Sequence, residues 1–211
     1  MDLSHLSEEA GKRFDAKMAA REVALSSSRR SIRSSANAIR AIHRGDLDEA
    51  RRLMDESHDS LTRGRDAVRA DHADVYFAGF LQDAQKEYAE ARLTEAIVCA
   101  AGLPSPDEVG VELAPYLNGL AESIGEGRRA VLDLLRRDRA DEAEGILGAM
   151  EDIYHVLVSV DYPDAITGNL RRSTDVARGI LERTRGDLTL SLVQRDLRDA
   201  LDRHRDVVDG E

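Results

Sequence analysis

Apolar residues recur about every 3.6 positions along nearly the whole chain, which is the period of a helix that buries one face. The alternation of apolar and polar residues that indicates strands does not compete with this pattern over any segment. Only eight residues are aromatic (Tyr 5, Phe 3, Trp 0), although strands favour aromatic side chains. The sequence therefore predicts an all-α protein.

Glycines, prolines and capping residues divide the helical pattern. The first helix stops at Gly45 and has some irregularity at Ser26, Ser27 and Ser28, and the firmest break is at 102–106. Because no loop is long enough to be a linker, we expect one domain over residues 1–211, an elongated antiparallel bundle of about seven helices. A short helical turn is expected after Pro106, and the predicted helices cover about residues 3–44, 47–70, 71–101, 113–137, 140–160, 163–186 and 187–207.

The charge balance constrains the classes of partner. With 30 basic and 41 acidic residues the net charge is −11, so a nucleic-acid partner would need a local basic surface. Arginine, which suits phosphate better than lysine does, supplies 27 of the 30 basic residues. A GC-rich genome or a salt-adapted host would give the same bias. The polar start and the lack of an apolar run of roughly 18 residues predict a soluble, cytoplasmic protein with no membrane partner.

Several kinds of site are excluded by the residues present. The single cysteine, Cys99, cannot form a disulfide framework, and its apolar neighbours predict a buried position. The chain has no glycine-rich phosphate loop, no GxSxG or HExxH motif and no pair of histidines at metal-ligand spacing. Conventional hydrolase, kinase and zinc-site interpretations therefore fail, and carboxylates are left as the candidate metal ligands.

Two pairs of acids have the spacing of a carboxylate site. Glu87 and Glu90 on the third predicted helix, and Glu122 and Glu126 on the fourth, each lie on adjacent turns of one helix face. If those faces meet, the oxygens would suit Mg²⁺ or Mn²⁺. A solvated acidic face is the alternative, since a chain with 41 acids contains many such pairs by chance. Four of the eight aromatics lie on the third predicted helix, which favours a course through the interior or an oligomer interface.

The segment at 81–91, LQDAQKEYAEA, resembles a motif of the translin and translin-associated factor X family, and specifically of its archaeal members. Other blocks of the family, in the family's order, are similar to three further segments of this sequence. These are 35–45, 116–126 and 162–168, the last of which continues through 184–190. The likeness covers nearly the whole chain, and the seven-helix prediction agrees with the family fold.

The resemblance implies binding of single-stranded RNA and DNA inside a hollow octameric barrel of helical subunits. For the factor-X-like branch it also implies a metal-dependent endoribonuclease that cleaves single-stranded RNA. Residue by residue, the family's two catalytic glutamates fall on Glu87 and Glu90, its aspartate falls on Glu122 with one additional methylene, and a further metal-ligating glutamate falls on Glu126. The cofactor would be Mg²⁺ or Mn²⁺.

A barrel would also reconcile the acidic net charge with nucleic-acid binding, because a basic inner wall and an acidic outside can coexist. The candidates for the RNA-facing surface are Arg33, Arg40, His43, Arg44, Lys86, Arg92, Arg128 and Arg129. The alternative for each is a solvated or ion-paired surface side chain.

Three hypotheses therefore compete. A ribonuclease would need added divalent metal and would lose cleavage, but not RNA binding, on loss of Glu87 or Glu90. A non-catalytic binder would hold single strands equally well with chelator. A structural scaffold would bind no nucleic acid even at low salt, where electrostatic binding is strongest.

Overall fold

The computed structural model describes residues 3–209 and, within that range, helices are the only regular secondary structure. The prediction of an all-α protein is therefore confirmed. The helices are α1 (Ser4–Arg44), α2 (Leu47–Asp66), α3 (Ala73–Tyr76), α4 (Phe80–Val98), α5 (Pro106–Val109), α6 (Leu113–Leu135), α7 (Ala140–Ser159), α8 (Asp164–Thr167) and α9 (Leu170–Asp209). In the described part of the chain, none is both long and apolar enough to cross a membrane.

Contacts between Cα atoms group the chain into two compact units. The first holds the residues up to 95 together with 104–119, and the second holds 96–103 together with the residues from 120 onward. Helices α4 and α6 each contribute residues to both units. The single domain over 1–211 stays a prediction.

In the first unit, α1 and α2 form a helical hairpin with small side chains between them. Gly45, at φ 80°, ends α1, and Asp46 caps α2 by accepting a hydrogen bond from the Glu49 N–H. The hydroxyl of Ser57 on α2 lies 2.8 Å from those of Ser31 and Ser35 on α1. Because small serine side chains occupy the interface, the two helices can approach closely. The buried serine hydroxyls form hydrogen bonds with one another.

In the second unit, the expected periodicity is visible in α7 and α9. The buried residues of α7 include Ile146, Met150, Ile153 and Leu157, which are spaced four, three and four positions apart. This face packs against α9, where Leu170, Ala177, Leu181, Thr184 and Leu188 are buried at similar spacing. Two amphipathic helices thus cover each other's apolar faces.

Several predicted helix boundaries need correction. The third predicted helix is interrupted before Phe80 by Gly79 at φ 103°, and the sixth is interrupted by Gly168 and Asn169 at φ 62° and 67°. In contrast, α9 continues through Gly186. The first helix shows no interruption at 26–28, and the Ser26 hydroxyl donates back to the Val23 carbonyl of the same helix.

The predicted burial of Cys99 is also wrong. Helix α4 ends at Val98, and Cys99 lies exposed in the turn that follows. Apolar neighbours in the sequence do not bury a residue that lies just beyond the end of its helix.

Candidate metal centre

Helix α4 carries Glu87 and Glu90 on adjacent turns, and both side chains are half-buried. The neighbouring positions Ala84, Tyr88 and Ala91 are buried. The two carboxylates therefore lie at the margin of a packed face. The Lys86 ammonium is 3.3 Å from Glu87 Oε1, and the Lys86 side chain is only 24% exposed.

Gly119 allows α6 to lie directly against α4. A Cβ atom at this position would be 2.7 Å from the Lys86 carbonyl oxygen and 3.0 Å from the Glu90 nitrogen. A Cβ atom essentially never lies closer than 3.0 Å to a backbone atom of another helix. A glycine, with only a hydrogen atom for a side chain, therefore fits at this crossing. The turns of α4 that it contacts are the ones that carry the two glutamates.

Glu122 follows Gly119 by one turn of the continuous helix α6. One carboxylate oxygen from each of Glu87, Glu90 and Glu122 lies within 4.8 Å of the others, and all three side chains are half-buried. The structure thus brings together three of the four acids that the sequence singles out. The donors are all carboxylate oxygens, which fit hard divalent ions such as Mg²⁺ or Mn²⁺.

Glu126 lies outside this group of three. It is one turn beyond Glu122 on α6, and one of its oxygens is 3.9 Å from Arg129 Nη1. A role for Glu126 as a further ligand stays a prediction, as do the metal-ligating and catalytic roles of the other three.

A group of polar residues holds the start of α6 near α4, and the sequence analysis missed it. The Glu112 N–H donates to Gln85 Oε1 at 2.8 Å, and the Tyr76 hydroxyl donates to the Glu112 carboxylate. Burial, followed by the neighbouring Glu112, raises the pKa of Tyr76, so its hydroxyl keeps the proton that it donates. Arg65 Nη1 also donates to the Gly110 carbonyl at 2.9 Å, just before α6.

The predicted RNA-facing residues have varied surroundings. Arg33, Arg40, Arg44 and Arg129 are exposed, whereas His43, Lys86, Arg92 and Arg128 are half-buried. Arg40 bonds to Asn37, and Arg92 donates to the Tyr88 hydroxyl at 3.1 Å. Arg128 pairs with Asp187 at 2.8 Å. Each contact with an acid reduces the positive charge that remains for a phosphate, so the eight are not equivalent candidates.

Two arginines absent from that prediction, Arg29 and Arg30, lie with Arg33 along one groove between α1 and α2. The sequence signal for them is the pair of consecutive arginines after a run of serines. That signal does not reveal the groove, because its other wall comes from α2.

The chain is similar to two groups of known proteins, although no protein-family model matches it. It is 35% identical over 185 residues to an uncharacterised protein of Methanocaldococcus jannaschii, covering 87% of this chain and 81% of the relative. Among solved structures, it superposes on the archaeal AfC3PO with a TM-score of 0.82 at 33% identity, covering 89% of this chain and 97% of AfC3PO.

A second structure of AfC3PO is a complex with duplex RNA, and the TM-score with it is 0.79 at 31% identity, over 89% of this chain and 97% of that one. A C3PO from Nematostella gives a TM-score of 0.76 at 20% identity, over 90% of this chain and 97% of that one. At this lower identity, the likeness shows the shared fold alone.

Proposed function

Because this chain belongs to the translin and translin-associated factor X family, to which the C3PO proteins also belong, we propose that it binds single-stranded RNA and cleaves it with a divalent metal ion. The observation that carries the proposal is the convergence of Glu87, Glu90 and Glu122 within 4.8 Å. The complex of AfC3PO with duplex RNA supports the nucleic-acid part.

In this proposal the three glutamates hold the ion and Glu126 is an additional ligand. A bound Mg²⁺ or Mn²⁺ supplies Lewis acidity, which lowers the pKa of water and stabilises negative charge on a departing oxygen. The α4–α6 crossing keeps the carboxylates close together before substrate arrives. Lys86, which pairs with Glu87, offsets part of the repulsion among the acids.

A divalent metal ion bound at the three glutamates is expected to stabilise the folded protein. Three carboxylates this close repel one another, and an ion bound only to the folded state stabilises it. At a Mn²⁺ concentration about 100 times the dissociation constant the gain is about 2.7 kcal/mol, which corresponds to a rise in melting temperature of about 5–11 °C for a chain of this size. Differential scanning fluorimetry with Mn²⁺ or with chelator measures this rise.

A variant on the same helix provides the matched control. Asp83→Asn removes one exposed charge one turn before Glu87 and is expected to keep the full rise. Glu90→Gln is expected to melt at or above the wild-type temperature in chelator, because repulsion is relieved, but to lose most of the rise with Mn²⁺. An equal rise in Glu90→Gln and wild type would contradict a metal centre at these residues.

We also propose that the protein self-associates, as an octamer by its family resemblance, acts in the cytoplasm, and binds single-stranded DNA as well as RNA. Helix α9 carries Leu190, Val193, Leu197 and Leu201, which are 58–60% exposed and lie close to one helix face. A second copy of the chain would remove these side chains from water. Sedimentation equilibrium is expected to give a mass several times 23.3 kDa, and a monomer at micromolar concentration would contradict the assembly.

A further inference from the structure

A groove with a volume of about 580 Å³ runs between α1 and α2, and three arginines line it. Arg29, Arg30 and Arg33 come from the exposed side of α1, while Leu53 and Glu56 come from α2. We call this surface the arginine groove. It lies entirely within the first unit, so its form depends only on the packing of the helical hairpin.

The arginine groove carries positive charge that no acidic side chain among the described residues neutralises. In the described part of the chain, the side chains of Arg29, Arg30 and Arg33 form no hydrogen bond or ion pair, and only their backbone groups bond within α1. The one acid in the lining, Glu56, is held by Arg52 Nη1 at 2.6 Å. Other arginines, such as Arg139 with Glu142 and Arg185 with Glu151, do have acid partners. Three guanidinium groups therefore face one concave surface with their donors available.

The lining indicates the class of ligand. Guanidinium groups bind phosphate through paired hydrogen bonds, and the neutral polar side chains of Ser34 and Asn37 can contribute further ones. No aromatic side chain occurs among the described residues that line the arginine groove, so it lacks the platforms on which bases stack. Recognition here would depend on the phosphates and not on the bases.

We propose that the arginine groove binds the phosphodiester backbone of a single nucleic-acid strand, independently of its sequence. This inference rests on the proposed function, because it assigns an anchoring surface for the same RNA. It separates binding residues on α1 from the carboxylates on α4 and α6. Of the residues that the sequence singled out, Arg33 belongs to this surface, and Arg29 and Arg30 are its new members.

The test compares two triple variants in a Glu87→Gln/Glu90→Gln background, where RNA stays intact. One variant removes the groove cations, Arg29→Ala/Arg30→Ala/Arg33→Ala. The control, Arg13→Ala/Arg136→Ala/Arg171→Ala, removes the same charge from exposed arginines whose ion pairs with Glu9, Asp133 and Asp161 lie elsewhere. Fluorescence anisotropy with labelled oligouridylate and oligoadenylate, from 50 to 300 mM NaCl, gives the dissociation constants.

For the groove variant we expect affinity to fall at least about tenfold at low salt and the slope of log K against log [NaCl] to fall by about 2, since single strands contribute about 0.7 for each neutralised phosphate. Both oligonucleotides should be affected equally, and the control should keep the slope of its parent. Unchanged melting temperatures would show that all the variants fold.

Two results would overturn the inference while leaving the proposed function intact. These are equal slopes for the groove variant and the control, or a loss confined to one of the two base sequences. If the parent itself binds neither oligonucleotide at 50 mM NaCl, the proposed function and the inference both fail.

Discussion

Replacing Glu87 and Glu90 together with glutamine is expected to lower the rate of Mn²⁺-dependent RNA cleavage by at least about 10³-fold, equivalent to about 4 kcal/mol of transition-state stabilisation. The rate should fall because two of the three clustered carboxylates that could bind the metal ion are lost. Glutamine keeps the size of each side chain but supplies neutral ligands. Gel analysis of end-labelled single-stranded RNA with Mn²⁺ or chelator measures the rate.

Asp83→Asn is again the control, since it neutralises an exposed acid on α4 without altering the cluster. It should cleave at a rate within about threefold of wild type, because surface substitutions away from such a site have small effects. RNA affinity in the double variant should be unchanged or tighter, because negative charge has been removed.

The same assay separates the remaining hypotheses. Wild-type protein that binds RNA but gives no cleavage with any divalent ion would indicate a non-catalytic binder. Cleavage that persists in chelator, or in the double variant, would contradict catalysis through these glutamates. Absence of RNA binding at low salt would favour the structural scaffold.

The carboxylate centre shows how far the sequence alone could lead. Helical periodicity places Glu87 and Glu90 on one face without further information. Their approach to Glu122 depends on which turn of α6 meets which turn of α4, and Gly119 sets that register by close contact. Periodicity carries no information on the register between helices, so spacing left the meeting of the two acidic faces as a condition, and the family resemblance indicated that Glu122 belongs with the other two.

The arginine groove was not predictable for a related reason. An arginine is available to a ligand only if no acid neutralises it, and the acid often comes from a distant part of the chain. Arg51 pairs with Glu95, 44 positions away, and Arg185 pairs with Glu151, 34 positions away. The sequence shows that arginines are abundant, but the packing of the helices determines which of them have partners.

Glycines show the same limit in the fold itself. Gly79 lies in the gap between α3 and α4 with a φ of 103°, outside the helical range, whereas Gly186 lies within α9. Helix propensity disfavours both by a similar amount, about 1 kcal/mol relative to alanine. Propensity therefore does not distinguish the two positions, so a glycine predicts a possible break in a helix but not an actual one.

Gly119→Ala is expected to damage stability and the metal centre together. A methyl group 2.7 Å from the Lys86 carbonyl oxygen cannot be relieved by rotating a side chain, so α6 must shift away from α4. Overpacking of this kind costs about 1–3 kcal/mol, which lowers the melting temperature in chelator by about 2–12 °C. The shift also displaces Glu122, so the rise with Mn²⁺ should shrink and cleavage should fall by about 10²-fold.

Gly145→Ala is the matched substitution that separates crowding from the loss of a glycine. Gly145 lies within α7, and a Cβ there would meet nothing within 4 Å, so alanine should stabilise the helix by about 0.5–1 kcal/mol. Scanning fluorimetry of both variants, with and without Mn²⁺, measures the change in melting temperature. The same glycine-to-alanine substitution should lower it at position 119 and raise it at position 145. If Gly119→Ala raised the melting temperature as Gly145→Ala does and kept the full rise with Mn²⁺, the close crossing would not be what positions Glu122.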